Sequence, residues 1–126
     1  MEKVVQILIK MRKVQKVLNA NENSEISLTI NGKNFDLNTT DNSIHSDGNV
    51  TITGGTFTIN SGDDGIHADQ YLNLGTKDAN DNLINVNIEK SYEGLEGAYV
   101  YIYSGTYTIY ASDDGINSAG DTDTEC

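Results

Sequence analysis

The chain has 126 residues, enough for one modest domain, with a formal charge of −11, 12 glycines, no proline and no tryptophan. So acidic a body excludes a nucleic-acid partner, because phosphate contacts need a surplus of Lys and Arg. No apolar run approaches the roughly 18–20 residues of a membrane-spanning helix, which argues against membrane insertion, and the single Cys126 can close no disulfide within the chain.

The charge is unevenly divided. Residues 1–20 carry Lys3, Lys10, Arg12, Lys13 and Lys16 against Glu2 alone, while the remainder holds three lysines and 18 acids. Within that basic start, Val4, Leu8, Met11, Val14 or Gln15, and Leu18 follow helical spacing. This predicts an amphipathic helix over residues 2–18, its apolar face capping the open end of a β core. A strand is the alternative, because VVQILI also alternates. The stretch is too interrupted by charge to read as a signal peptide.

From residue 26 onward the pattern changes to a period of two. ISLTI, VTI, FTI, LNL, VNI, VYI and YTI alternate apolar with polar residues, and Gly, Asn, Asp and Ser separate them. The segments repeat. Aligned on Ile44, Ile66, Leu95 and Ile116, the copies are spaced 22, 29 and 21 residues apart. Four further apolar columns follow: Phe35, Phe57, Val86 and Tyr107; Leu37, Ile59, Ile88 and Ile109; Val50, Leu72 and Val100; Ile52, Leu74 and Ile102. Column matching of this kind predicts an all-β solenoid with one coil per repeat, in preference to a β-sandwich. The long spacing contains an insertion near residues 75–82. Thr122 and Thr124 stand in columns that are apolar elsewhere, so the last coil reads as frayed. The predicted organisation is a cap over 1–20, a β-helix over 21–120 and a frayed terminus over 121–126.

The acids align as well. Asp41, Asp63, Tyr92 and Asp113 share one column, and Asn42, Asp64, Glu93 and Asp114 share the next. After the core aliphatic residue come His45, His67, Glu96 and Asn117, and two positions later Asp47, Asp69, Ala98 and Ala119. Carboxylates stacked about 4.8 Å apart repel unless a cation joins them. Calcium, with six to eight oxygen ligands at about 2.3–2.6 Å, suits such a site. Ordinary turn chemistry on a solvated rim uses the same residue types. The two histidines stack as well and are candidate zinc ligands, but they read first as turn residues, since neither a third histidine nor a nearby cysteine joins them. The glycine after each acidic pair is expected to let the backbone bend sharply.

Tyr99, Tyr101 and Tyr103 alternate with Val100 and Ile102, so one strand presents three outward rings, and Tyr71 shares the column of Tyr99. Outward tyrosines offer amphipathic surface to sugar rings. They are also common in exposed strands without any ligand.

SDGNVTITGGTFTINSGDDGIHAD and KSYEGLEGAYVYIYSGTYTIYASDDGINSAG resemble the calcium-binding, carbohydrate-binding β-helix domain of secreted bacterial proteins, over about residues 26–120. The resemblance implies a right-handed parallel β-helix of about four coils, similar in architecture to pectate-lyase-type enzymes. It implies calcium held by Asp63, Asp64, Glu93, Glu96, Asp113 and Asp114, with Asp47 and Asp69 as further candidates. It also implies an extracellular or cell-surface setting and a polysaccharide partner, cellulose- or pectin-like. Tyr71, Tyr99, Tyr101 and Tyr103 are the expected sugar contacts. The basic start, the insertion and the polar last columns depart from the family pattern.

Catalysis is the competing expectation. A uronate lyase needs a basic residue beside the metal to take the proton alpha to the carboxylate. Beyond the N-terminal segment only Lys33, Lys77 and Lys90 are available. A calcium-stabilised structural or adhesive segment is the third.

Overall fold

A computed structural model describes residues 27–78 and 83–121. They form eight strands: β1 (Ser27–Thr39), β2 (Ile44–Ser46), β3 (Asn49–Ser61), β4 (Ile66–Leu74), β5 (Ile84–Lys90), β6 (Leu95–Ile102), β7 (Thr106–Ile109) and β8 (Ile116–Ser118). All pairings are parallel. The strands belong to a single sheet in the order β7-β5-β3-β4-β6-β8, with β1 on β3 and β2 on β4.

This corrects the expected fold. The strands do not close into a right-handed β-helix of about four coils; they make one sheet curled into an open half-barrel. The reason lies in the glycines. Gly54 and Gly55 read from sequence as a break between two short strands, yet NVTITGGTFTINS runs as one 13-residue strand. Gly55 bends it at φ 119°, and its N–H still donates to the Leu83 carbonyl at 2.9 Å. The two halves of β3 then serve different partners. Val50–Ile52 pair with Leu72–Leu74 of β4, and Gly55–Ile59 with Ile84–Ile88 of β5. A coil needs separate strands joined by turns. A bent strand that keeps its hydrogen bonds curves the sheet instead.

No helix occurs among the described residues. The expected capping helix over 2–18, its strand alternative, and Thr122 and Thr124 lie outside the described residues. No helix among them is long and apolar enough to cross a membrane.

The apolar columns are sets of directly paired residues. Phe35 faces Phe57, then Val86, then Tyr107; Leu37 faces Ile59, then Ile88, then Ile109. Ile44, Ile66, Leu95 and Ile116 pair in succession. Parallel in-register pairing puts like on like, so Phe35 and Phe57 stack with centroids 4.9 Å apart and planes 7° from parallel. Leu37, Ile44, Ile52, Phe57, Ile59, Ile66, Leu72 and Leu95 are fully buried on the concave face, each contributing about 1.5–3 kcal/mol of transfer free energy. Burial decays toward the sheet ends, where Ile102 and Ile116 are exposed.

Candidate functional site

The acidic columns lie in the turns that lead into β2, β4, β6 and β8 and on the first residues of those strands. In the column of Asn42 and Asp64 the side chain serves the backbone first. Asn42 Oδ1 accepts the Asp64 N–H at 2.9 Å, and Asp64 Oδ1 accepts the Glu93 N–H at 3.1 Å. Each side chain thus holds the start of the next copy's turn, which fixes the stacking register. Asn42, Asp64 and Glu93 are all buried.

The histidines sit at the centre of this network. The expectation that they are rim turn residues is wrong for a physical reason. His45 and His67 lie on β2 and at the start of β4, where Ile44–Ser46 and residues 66–69 are buried on successive positions, and they are 7% and 0% exposed. His45 pairs with His67 in register, and His67 with Glu96. The rings meet edge to face at 5.1 Å. His67 Nδ1 lies 3.0 Å from Asp64 Oδ2 and 3.3 Å from Glu96 Oε1, and its Nε2 lies 3.3 Å from Asp69 Oδ1. His45 Nε2 lies 2.9 Å from Asp69 Oδ1 and 3.6 Å from Asp47 Oδ1. Asn117 completes the set, its amide nitrogen 3.1 Å from both Glu93 oxygens and from Glu96 Oε2. The sequence held one pointer to this role: the histidine column is occupied by Glu96 and Asn117 in the later copies.

Charge in this cluster perturbs the acids in opposite directions. Burial acts to raise the Asp69 carboxyl, but hydrogen bonds and charge from His45 and His67 outweigh it and hold the group below the ordinary carboxylate value. Glu93 goes the other way. Burial, helped by repulsion from Asp64, Asp113 and Asp114, overcomes the Asn117 hydrogen bond and pushes the carboxyl up. The Asp113 charge is the chief cause that raises the Tyr92 phenol.

Three groupings among the described residues bring metal-ligating atoms within 4.8 Å of one another: Glu93, Asp113 and Asp114; Asp64, His67 and Glu96; and His45, His67 and Asp69. Only the first is all oxygen and therefore fits calcium chemistry. The other two contain imidazole nitrogen, which suits other metals. The eight expected calcium ligands are thus divided. Glu93, Asp113 and Asp114 come together. Asp64, Glu96, Asp69 and Asp47 lie with the imidazoles. Asp63 enters none of the three groupings, and its carbonyl accepts the Tyr92 N–H at 2.8 Å.

A second feature is a strip of tyrosines. Tyr71 on β4 and Tyr99 on β6 are in register, their rings 5.3 Å apart and 22° from parallel. Tyr71 and Tyr101 are 6.3 Å apart at 16°, and Tyr101 and Tyr103 are 6.2 Å apart at 11°. All four rings are exposed. The Lys77 ammonium lies 5.4 Å from the Tyr103 centroid and ends the row with positive charge. Tyr110, beyond β7, is exposed but joins none of these stacks. Near-parallel rings make a ribbed strip, where the sequence suggested only outward positions.

Residues 10–65, less than half of the chain, match the family model described as "Carbohydrate-binding domain-containing protein", and this match supports carbohydrate binding. The matched segment contains His45, Asp47, Asp63 and Asp64 and ends before the tyrosine strip. No curated protein and no solved structure matches the chain.

Proposed function

We propose that the protein binds a cell-wall-type polysaccharide, cellulose- or pectin-like, along Tyr71, Tyr99, Tyr101 and Tyr103, with calcium held at Glu93, Asp113 and Asp114. The observation that carries this reading is the row of four near-parallel, exposed rings. Sugar rings present apolar C–H faces and hydroxyl edges, and tyrosines offer both kinds of partner. Mutual stacking holds each ring in one orientation before ligand arrives, which lowers the ordering cost of binding. An extended polymer can contact several of these rings at once. Lys77 at its end favours a polymer that carries carboxylates.

Calcium would neutralise Glu93, Asp113 and Asp114 and, when bound, would supply a positive centre for acidic sugar units. In its absence these acids repel one another, and burial, with that repulsion added to it, raises the Glu93 carboxyl. A secreted or cell-surface setting follows from this reading, since such polymers lie outside cells.

The test is a pull-down panel on insoluble cellulose, xylan and calcium-pectate gel, run with calcium and with chelator, the soluble fraction being scanned for the ultraviolet absorbance of unsaturated uronates. We expect retention, no ultraviolet product, and release by chelator. Tyr101→Ala should weaken retention about 5- to 30-fold, the effect of losing one good aromatic contact, with an unchanged circular dichroism spectrum. Retention on no polymer overturns the reading. A rise in ultraviolet absorbance moves it to a lyase. Retention indifferent to chelator removes calcium from it. Loss of thermal stability on chelation, with no polymer retained, favours a structural segment.

A further inference from the structure

The chain contains two histidines, and the fold brings both to one buried point. Asp69 Oδ1 stands 2.9 Å from His45 Nε2 and 3.3 Å from His67 Nε2, and Asp47 Oδ1 stands 3.6 Å from His45 Nε2. Two ligands of one tetrahedral zinc ion, each about 2.0–2.1 Å from the metal, lie roughly 3.3 Å apart. The observed separations bracket that value. We propose that His45 Nε2, His67 Nε2 and Asp69, whose ligand atoms all lie within 4.8 Å of one another, form a binding site for a first-row divalent cation of the zinc class, distinct from the all-oxygen grouping at Glu93, Asp113 and Asp114.

The arrangement around His67 supports this independently. A neutral imidazole carries one N–H, yet both ring nitrogens of His67 face carboxylate oxygens. With the proton on Nδ1, where Asp64 and Glu96 accept it, the Nε2 lone pair is directed at Asp69; with the proton on Nε2, the Nδ1 lone pair meets two carboxylates instead. A cation is required there, either a second proton or a metal. A carboxylate that fixes the far nitrogen of a ligating histidine is a recurrent feature of metal sites, and it also raises ligand basicity. One divalent ion supplies the same charge as two imidazolium protons, while joining three ligand atoms in one fixed geometry. Mixed nitrogen and oxygen donors select zinc, cobalt, nickel or copper over calcium and magnesium. His45 belongs to β2 and His67 to β4, so a bound ion would staple those strands. Binding displaces any Nε2 proton to solvent, which makes affinity fall at low pH.

This inference is independent of polysaccharide binding, and its test uses no sugar. Metal-free full-length protein carrying Cys126→Ser, to remove the thiol, is titrated with Zn2+ against a chromogenic chelator, and in parallel with Co2+ and Ca2+. We expect one equivalent of Zn2+, a visible Co2+ spectrum of tetrahedral intensity, and a melting temperature that rises with free Zn2+. Proton–nitrogen correlation spectra, simple in a protein with two histidines, should show both imidazoles ligated through Nε2. Asp69→Asn and Asp64→Asn should each weaken Zn2+ about 10- to 100-fold, and His45→Gln should abolish the Co2+ colour. Glu89→Gln, an exposed acid, should change nothing. If His45→Gln fails to fold, the two Asn variants decide the matter. Absence of stoichiometric Zn2+ binding, equal affinity in the Asn variants, or displacement of Zn2+ by comparable Ca2+ overturns the proposal.

Discussion

Tyr107 shows how a single residue can record the depth of the core. It ends the column begun by Phe35 and Phe57, with its ring half-buried and its hydroxyl donating to the Ser104 carbonyl at 2.7 Å. Burial pushes its phenol up from 10.0 to about 12. The folded state therefore holds this proton more tightly than the unfolded chain. The stabilisation is complete below pH 10 and is lost as pH rises through the folded value near 12. Denaturant titrations should show Tyr107→Phe and the parent diverging only between those values, with the parent losing stability faster. The difference should be on the order of 1 kcal/mol once solvent screening of a half-exposed group is allowed for. Parallel curves up to pH 12 would contradict the assignment. His67 makes a different point at the same scale. Its neighbours in sequence, Ile66 and Ala68, are core residues, and no local pattern distinguishes a buried histidine from one on a rim. Only the turn acids that the fold lays over it create its chemistry.

Among the strands, the glycines of the acidic turns explain the motif spelling. The sequence suggested that Gly65, Gly94 and Gly115 allow a sharp bend, but none has a positive φ. Their requirement is lateral room. A Cβ on Gly65 would lie 2.7 Å from the Gly94 carbonyl oxygen, and one on Gly94 would strike the Ile109 side chain and the Gly115 carbonyl. Each copy packs so closely on the next that only hydrogen fits between them. Gly115, on edge strand territory, would meet nothing nearer than the Ile109 methyl at 4.0 Å. Gly94→Ala should therefore cost about 1–3 kcal/mol from overpacking, while Gly115→Ala should be close to neutral. Thermal unfolding of the two variants checks this, and equal losses would show that the cause is backbone freedom, not space. Gly55 is the contrary case, where a φ of 119° is needed for β3 to bend without ending.

Across the whole molecule, stability should be graded from the middle of the sheet outward. β3 and β4 are central, with partners on both sides and fully buried core residues; β7 and β8 are its ends, four and three residues long. Their inward positions are only partly covered, and Ile102 and Ile116 are exposed. Edge amides hydrogen-bond on one side only and open without disturbing the rest. Amide exchange should accordingly show protection in β7 and β8 at least about tenfold below that in β3. Uniform protection across all eight strands would mean that the sheet unfolds as a single unit. The tyrosine strip runs from Tyr71 on the central β4 to Tyr99 and Tyr101 on β6 and Tyr103 just past it, so it reaches from the protected middle towards the less protected edge.

Pairing was legible in the residues. Alternation assigns a face to each side chain, and near-identical copies pair in register because that places Phe on Phe and Ile on Ile. The columns holding Phe57, Ile59, Ile66 and Leu72 could therefore be written down before any coordinates, as could the clustering of Asp64 with Glu93 and of Tyr71 with Tyr99. What the tertiary structure decided was closure and environment. Whether Gly54–Gly55 ends a strand or bends one depends on whether the neighbouring strand keeps its hydrogen bonds, and that interaction is non-local; here it persists, and the sheet stays open. Whether His45 and His67 face water or carboxylates depends on what covers β2 and the first residues of β4. Sequence specifies which groups align. Burial, set by the packing of distant segments, determines what those groups can do there.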